Sequence, residues 1–245
     1  MWSSTLARCA GLVLLAVALF ACKGKKKGDT TSAVAPSAQP DPGGGVAAPP
    51  ELDGTWRIHS AADPNGKKYS GNVQIARTGE AWEMVWRLAD GSAQSGIAMD
   101  LGNGSYAAGF GGTQAFGVVV YEVASGTLTG KWAQQGIRQV GVENLSGPPG
   151  LSGNYTIILA KTPTGGTYTG SVRITPNGQV YDLAWVIGGQ TQRGVAILEG
   201  SKLIAGWGMD KGAGVIRYKR VTPTRLEAIW APTGSARTGT EILER

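Results

Sequence analysis

YSGNVQIARTGEAWEMVW, Tyr69 to Trp86, returns 99 residues later as YTGSVRITPNGQVYDLAW, Tyr168 to Trp185. The neighbourhood returns with it. GFGG at Gly109 answers GWGM at Gly206, and GVVVY at Gly117 answers GVIRY at Gly214. Leu128 to Trp132 aligns with Leu226 to Trp230, and GVENL at Gly141 with GTEIL at Gly239. The offset drifts only between 97 and 99, so the chain carries one unit of about 95 residues twice, with small loop insertions between the copies.

The period inside the unit is two. Tyr69, Gly71, Val73 and Ile75 alternate with Ser70, Asn72 and Gln74, and Tyr168, Gly170, Val172 and Ile174 with Thr169, Ser171 and Arg173. Trp82, Met84, Trp86 and Leu88 form the apolar face of the next segment, matched by Tyr181, Leu183, Trp185 and Ile187. Alternation of this kind marks half-buried strands, and the turns RTGE, PNGQ, ADGS and ASGT fall at hairpin spacing. Strands are expected to begin near Trp56, Tyr69, Trp82, Gly96, Tyr106, Gly117, Leu128 and Gly141, about eight in each unit. The expected fold is all-β: two tandem eight-stranded antiparallel up-and-down meander barrels, since closure removes unpaired edges. Open β-sandwiches are the alternative. Each copy, 51–147 and 151–245, is expected to close on itself, with the inward set of the first running from Trp56 through Ile97, Met99, Val119, Tyr121 and Leu128 to Trp132. A transmembrane barrel is disfavoured, because the second face of the strands is Ser, Asn, Gln, Arg and Glu rather than apolar.

LDGTW at Leu52 and LSGNY at Leu151 open the units with Gly-x-aromatic. This resembles the first strand of calycin barrels, the lipocalin and avidin superfamily, and the resemblance implies a small meander barrel. Tyr155 departs from the tryptophan of that pattern, and no Asn/Ser/Asp set matching a biotin site accompanies it.

Upstream, MWSSTLAR ends in a positive charge and is followed by eleven uncharged residues, Gly11 to Ala21. That is short of the roughly 20 needed to span a bilayer and fits the core of a signal peptide, residues 1–21. Leu19-Phe20-Ala21-Cys22 resembles the lipobox of bacterial lipoproteins. The resemblance implies acylation of Cys22, a mature chain beginning there, and attachment to the envelope membrane. Lys23, in place of an aspartate, favours the outer membrane of a Gram-negative cell. Two or more acyl chains make a durable anchor. Residues 22–50 begin with Lys23, Lys25, Lys26 and Lys27 and continue rich in Pro, Gly, Ala and Ser, the composition of a flexible tether. With Cys9 removed, Cys22 has no partner for an internal disulfide.

The net charge is +6, but it is uneven: Leu52–Gly147 holds 7 basic and 8 acidic residues, Leu151–Arg245 11 and 6. The basic residues are spread rather than clustered, so nucleic acid is not an expected partner. Candidates are the membrane through the anchor, and an envelope protein, a glycan or a small molecule, with the protein a monomer.

Catalytic residues are not expected. His59, the single histidine, falls on an outer face beside Arg57 and has Ile158 as its counterpart. No Cys/His/carboxylate cluster has metal-ligand spacing, and neither metal nor cofactor is expected. One charged residue recurs in both copies, Glu143 and Glu241. Alternation places it on the face of Gly141 and Leu145, or Gly239 and Leu243, where it would accept from a Tyr, a Trp or backbone amides, anchor a ligand, or turn outward at a bulge. A shallow aromatic pocket is drawn at one barrel end from Trp86, Phe110 and Tyr121 with Glu143, and from Trp185, Trp207 and Tyr218 with Glu241. The expected function is non-enzymatic: a cell-envelope protein displaying two binding or interaction modules. The alternatives are a calycin-like carrier of a small hydrophobic or sugar ligand and an envelope protein inhibitor. Carrier and interaction module part company on whether the barrels contain an open cavity.

Overall fold

The computed structural model describes residues 52–209 and 212–245. The expected signal peptide and tether, with Cys22 and the lysine run, lie outside the described residues. Sixteen strands run β1 (Gly54–Ala62), β2 (Gly71–Thr78), β3 (Ala81–Leu88), β4 (Ala93–Gly102), β5 (Ser105–Gly111), β6 (Phe116–Ala124), β7 (Thr127–Gln134) and β8 (Gly141–Ser146) in the first copy. The second copy repeats them as β9 (Gly153–Lys161), β10 (Gly170–Asn177), β11 (Val180–Ile187), β12 (Gln190–Glu199), β13 (Lys202–Gly208), β14 (Gly214–Thr222), β15 (Arg225–Pro232) and β16 (Gly239–Glu244). They form two closed eight-stranded barrels with every pairing antiparallel, so the open sandwich is set aside.

Barrel membership differs from the repeat boundaries. The order in one barrel is β1-β16-β15-β14-β5-β4-β3-β2, and in the other β10-β11-β12-β13-β6-β7-β8-β9. The second barrel is thus a continuous meander from β6 to β13, closed by β13 against β6 and inserted between β5 and β14 of the first. Neither copy closes on itself: β5 pairs not with β6 but with β14, the counterpart of β6.

The physical reason lies in strands that are apolar on both faces. Ala98, Tyr106 and Ala108 point into the first barrel, while Ile97, Met99 and Ala107 point outward. Val195, Ile197 and Ile204 are the outward set of the second copy, and with Phe116, Val118 and Val215 they form a third core between the barrels. Ile97 and Met99 therefore line the inter-barrel core rather than the barrel interior. Val119, Tyr121 and Leu128 are interior to the second barrel, with Trp132 packed against them, not to the first. Burying a Val, Ile or Phe side chain stabilises by about 1.5–3 kcal/mol, so side-by-side barrels outcompete separate ones that would expose this face.

Glycine lets the two walls touch. A Cβ at Gly109 would lie 2.1 Å from the Gly117 carbonyl oxygen, and one at Gly206 2.0 Å from that of Gly214. These contacts sit where the chain passes from one barrel to the other. Gly206→Val should therefore force the walls apart and cost about 2 kcal/mol or more, read as a fall of roughly 4–8 °C in Tm. A Tm within 1 °C of the parent protein would show that the contact is slack.

One end of each barrel is plugged. Trp56 is fully buried, its indole N–H donates to the Leu52 carbonyl at 2.9 Å, and the Arg245 guanidinium stacks 4.4 Å from its ring while donating to the Asp53 carbonyl at 2.7 Å. In the second barrel Tyr155 takes the place of Trp56 and donates to the Gly150 carbonyl at 2.7 Å.

Candidate functional site

Each barrel is open at the other end, where the β1–β2 loop and β3–β4 turn, or the β9–β10 loop and the adjoining ends of β11 and β12, surround a cavity. The larger, ≈ 470 Å³, lies in the first barrel among Tyr69, Trp86, Leu88, Phe110, Ile216 and Trp230. The smaller, ≈ 250 Å³, lies in the second among Val119, Trp132, Tyr168, Trp185, Trp207 and Glu143.

Under these aromatic walls the same polar constellation occurs twice. Glu241, on β16, is 2% exposed. Its Oε1 accepts from the Tyr218 hydroxyl at 2.5 Å and the Trp86 indole N–H at 3.3 Å, and its Oε2 from the Tyr69 hydroxyl at 3.0 Å. Glu143, on β8, is 3% exposed. Its Oε1 accepts from the Tyr121 hydroxyl and, at 3.1 Å, from the Trp185 indole N–H, and its Oε2 from the Tyr168 hydroxyl at 2.9 Å. A buried carboxylate must find donors, and each here has three. The glutamates thus point inward and are hydrogen-bonded by Tyr and Trp, the first of the three placements expected.

The groupings drawn from sequence are corrected by the strand insertion. Trp86 and Phe110 share the first barrel with Tyr218 and Glu241. Tyr121 and Glu143 belong with Trp185 and Trp207 in the second. Trp86 and Phe110 line the first cavity and Glu143, Trp185 and Trp207 the second, while Tyr218, Glu241 and Tyr121 join them through buried hydrogen bonds, and each carboxylate sits with the tryptophan of the other repeat.

Burial raises the pKa of Glu241, against the opposing pull of hydrogen bonds from Tyr218, Trp86 and Tyr69. Burial, and then the facing carboxylates, push the hydroxyls of Tyr69, Tyr121, Tyr168 and Tyr218 well above the usual phenol range. The tyrosines therefore stay protonated and act as donors throughout the physiological range.

Sequence reasoning left four site residues in the general core. Tyr69 and Tyr168 are carboxylate donors. Trp132 and Trp230 are pocket walls whose buried indole N–H groups have no hydrogen-bond partner. The signal that could have singled them out is their recurrence at equivalent positions of the two copies. Glycine supplies the flat floors on which the rings lie. A Cβ at Gly141 would meet the Trp132 ring at 2.4 Å, one at Gly239 the Trp230 Nε1 at 2.7 Å, and one at Gly96 the Trp86 ring at 2.6 Å.

The rims differ. The first cavity is edged by Asp63, Lys67, Lys68 and Asp90, the second by Gln134, Thr162 and Gln192. His59 lies on the outer wall, with Nδ1 3.0 Å from Glu244 Oε2, away from both cavities. Among the described residues no group of three or more His, Cys, Asp or Glu is placed to hold a metal ion. No family model, curated protein or solved structure matches this chain.

Proposed function

We propose that this is a binding protein that holds small molecules in the open ends of its two barrels and is itself held in a cell envelope by acylation of Cys22. The observation that carries the first part is the cavity at the mouth of each barrel, ≈ 470 and ≈ 250 Å³, walled by aromatic rings over a buried polar floor. Concave, mostly apolar sites with a few convergent polar groups are where small ligands bind. An eight-stranded barrel filled by its own side chains would leave no such space, and the work would pass to the outer surfaces. The cavities therefore favour the carrier reading over the pure interaction module. With their tyrosines held protonated and their carboxylates engaged by three donors each, the floors suit recognition rather than proton transfer. The anchor rests on the lipobox-like Leu19–Cys22 stretch.

Two measurements test this. Isothermal titration of the full chain with 2-naphthol, a neutral two-ring aromatic, should give saturable binding. Ala89→Trp, at the rim of the first cavity, and Gln192→Trp, at the rim of the second, should each remove about half of the sites. Absence of saturable heat, or binding indifferent to both variants, would remove the carrier reading. Mass spectrometry of the N-terminus of protein expressed in a bacterium should show an acylated Cys22, and an unmodified mature end would remove the anchor.

A further inference from the structure

The smaller cavity has the chemistry of a cation box. Trp132 stands nearly perpendicular to both Tyr168, at 70°, and Trp207, at 76°, with centroids 6.4 and 6.3 Å apart. Trp185 adds a fourth ring, and the Glu143 carboxylate is part of the lining itself. Among the described residues no Lys, Arg or His is paired with Glu143; its three partners are neutral donors. A buried carboxyl whose partners are all neutral, in a cavity walled by four aromatic rings, is suited to a positive guest, as in aromatic cages that hold quaternary ammonium groups. The rim adds no charge.

A second feature narrows the class. The Trp132 indole N–H is buried and makes no well-directed hydrogen bond, although it lies near enough to the Tyr168 hydroxyl to pull its pKa down. An N–H repels a cation and asks for an oxygen. The fitting guest carries both a cationic head and an oxygen a short arm away.

We propose that the second barrel binds a small organic cation, a quaternary ammonium bearing a short oxygen-containing arm, with the head among the rings above Glu143 and the oxygen accepting from Trp132. The proposal rests on the reading of the barrels as small-molecule sites. The first barrel does not share the preference. Its Lys67 and Lys68 stand at the mouth where the second copy has Gly166 and Thr167, and Glu241 is not part of the cavity wall.

Calorimetric titration of the full chain with choline, set against its uncharged carbon isostere 3,3-dimethylbutan-1-ol, separates charge from shape. Choline should bind at one site per chain, at least about ten-fold tighter than the isostere. Glu143→Gln should reduce that ratio to near one. Thr167→Lys, an exposed change that leaves the floor intact and copies the first barrel's rim, should weaken choline several-fold while leaving 2-naphthol unchanged. Equal binding of choline and isostere, two choline sites per chain, or indifference to Thr167→Lys would overturn the proposal. If 2-naphthol binds and choline does not, the cation assignment falls and the carrier reading stands. If neither binds, both fall.

Discussion

Cut between its two repeats, the protein stays in one piece. A protease site inserted after Pro149, in the exposed link between β8 and β9, should yield a nicked chain that elutes at the size of the uncut protein. It should separate into two halves only in denaturant. The strand order requires this. The N-terminal half supplies β1–β5 to the first barrel and β6–β8 to the second, and the C-terminal half supplies β14–β16 and β9–β13. Four antiparallel seams join the halves: β1 with β16, β5 with β14, β6 with β13, and β8 with β9. Each seam carries a ladder of backbone hydrogen bonds, and both barrel interiors draw side chains from both halves. The Glu143 site shows the dependence in miniature, since its donors Tyr168 and Trp185 lie beyond the cut. Two independent beads, one per repeat, would instead part on cutting and elute as two half-size species in buffer. That result would sink the insertion topology.

The period-two pattern carried the strands, their number and the barrel class, because side-chain alternation is a local property written into consecutive residues. Barrel membership is a non-local property. The pairing of β5 with β6 and its pairing with β14 satisfy the same alternation, since β14 is the repeat of β6. What breaks the tie is the outward face of β4, β5, β12 and β13. Ile97, Met99, Val195, Ile197 and Ile204 stand where a solvated wall would carry polar side chains. GIAM at Gly96 and GVAIL at Gly194 are runs without alternation, the signature of a strand buried on both sides, and they were readable as such. At the sites, the recurrence of Glu143 and Glu241 identified the right carboxylates. Their partners could not be apportioned, because Tyr121 with Tyr218, and Trp86 with Trp185, are exchanged by the same ambiguity. That an aromatic pocket opens at one barrel end was legible, with Trp86, Phe110, Trp185 and Trp207 among its walls, but the volume of the cavities was not. Their size depends on rings lying flat against Gly96, Gly141 and Gly239, and packing of that kind has no periodicity.

Replacing Glu241 by alanine should be among the most damaging single changes in the first barrel, at about 3 kcal/mol or more. The Tyr218 hydroxyl and the Trp86 indole N–H would be left buried without their acceptor, at about 1–3 kcal/mol each, while Tyr69 at the cavity can turn to water. Glu241→Gln should cost far less, since an amide keeps one acceptor oxygen and its NH2 can donate to a tyrosine oxygen. The two isosteres differ in their response to pH. Burial raises the Glu241 pKa above its ordinary value of 4.5, so the folded chain holds this proton more tightly than the unfolded chain does. By linkage, the contribution of the group is most favourable below 4.5, where both states are protonated. It is lost progressively as pH rises through the folded-state value. Glutamine has no proton to lose. In urea denaturation from pH 4 to 8, the stability of the parent protein minus that of Glu241→Gln should therefore be largest at the acid end. It should shrink as pH rises and level off once the folded carboxyl is ionised. Subtraction removes the titrations the two proteins share. A difference that stayed flat or grew with pH would mean that the three donors outweigh burial, and that Glu241 is held as an ordinary carboxylate.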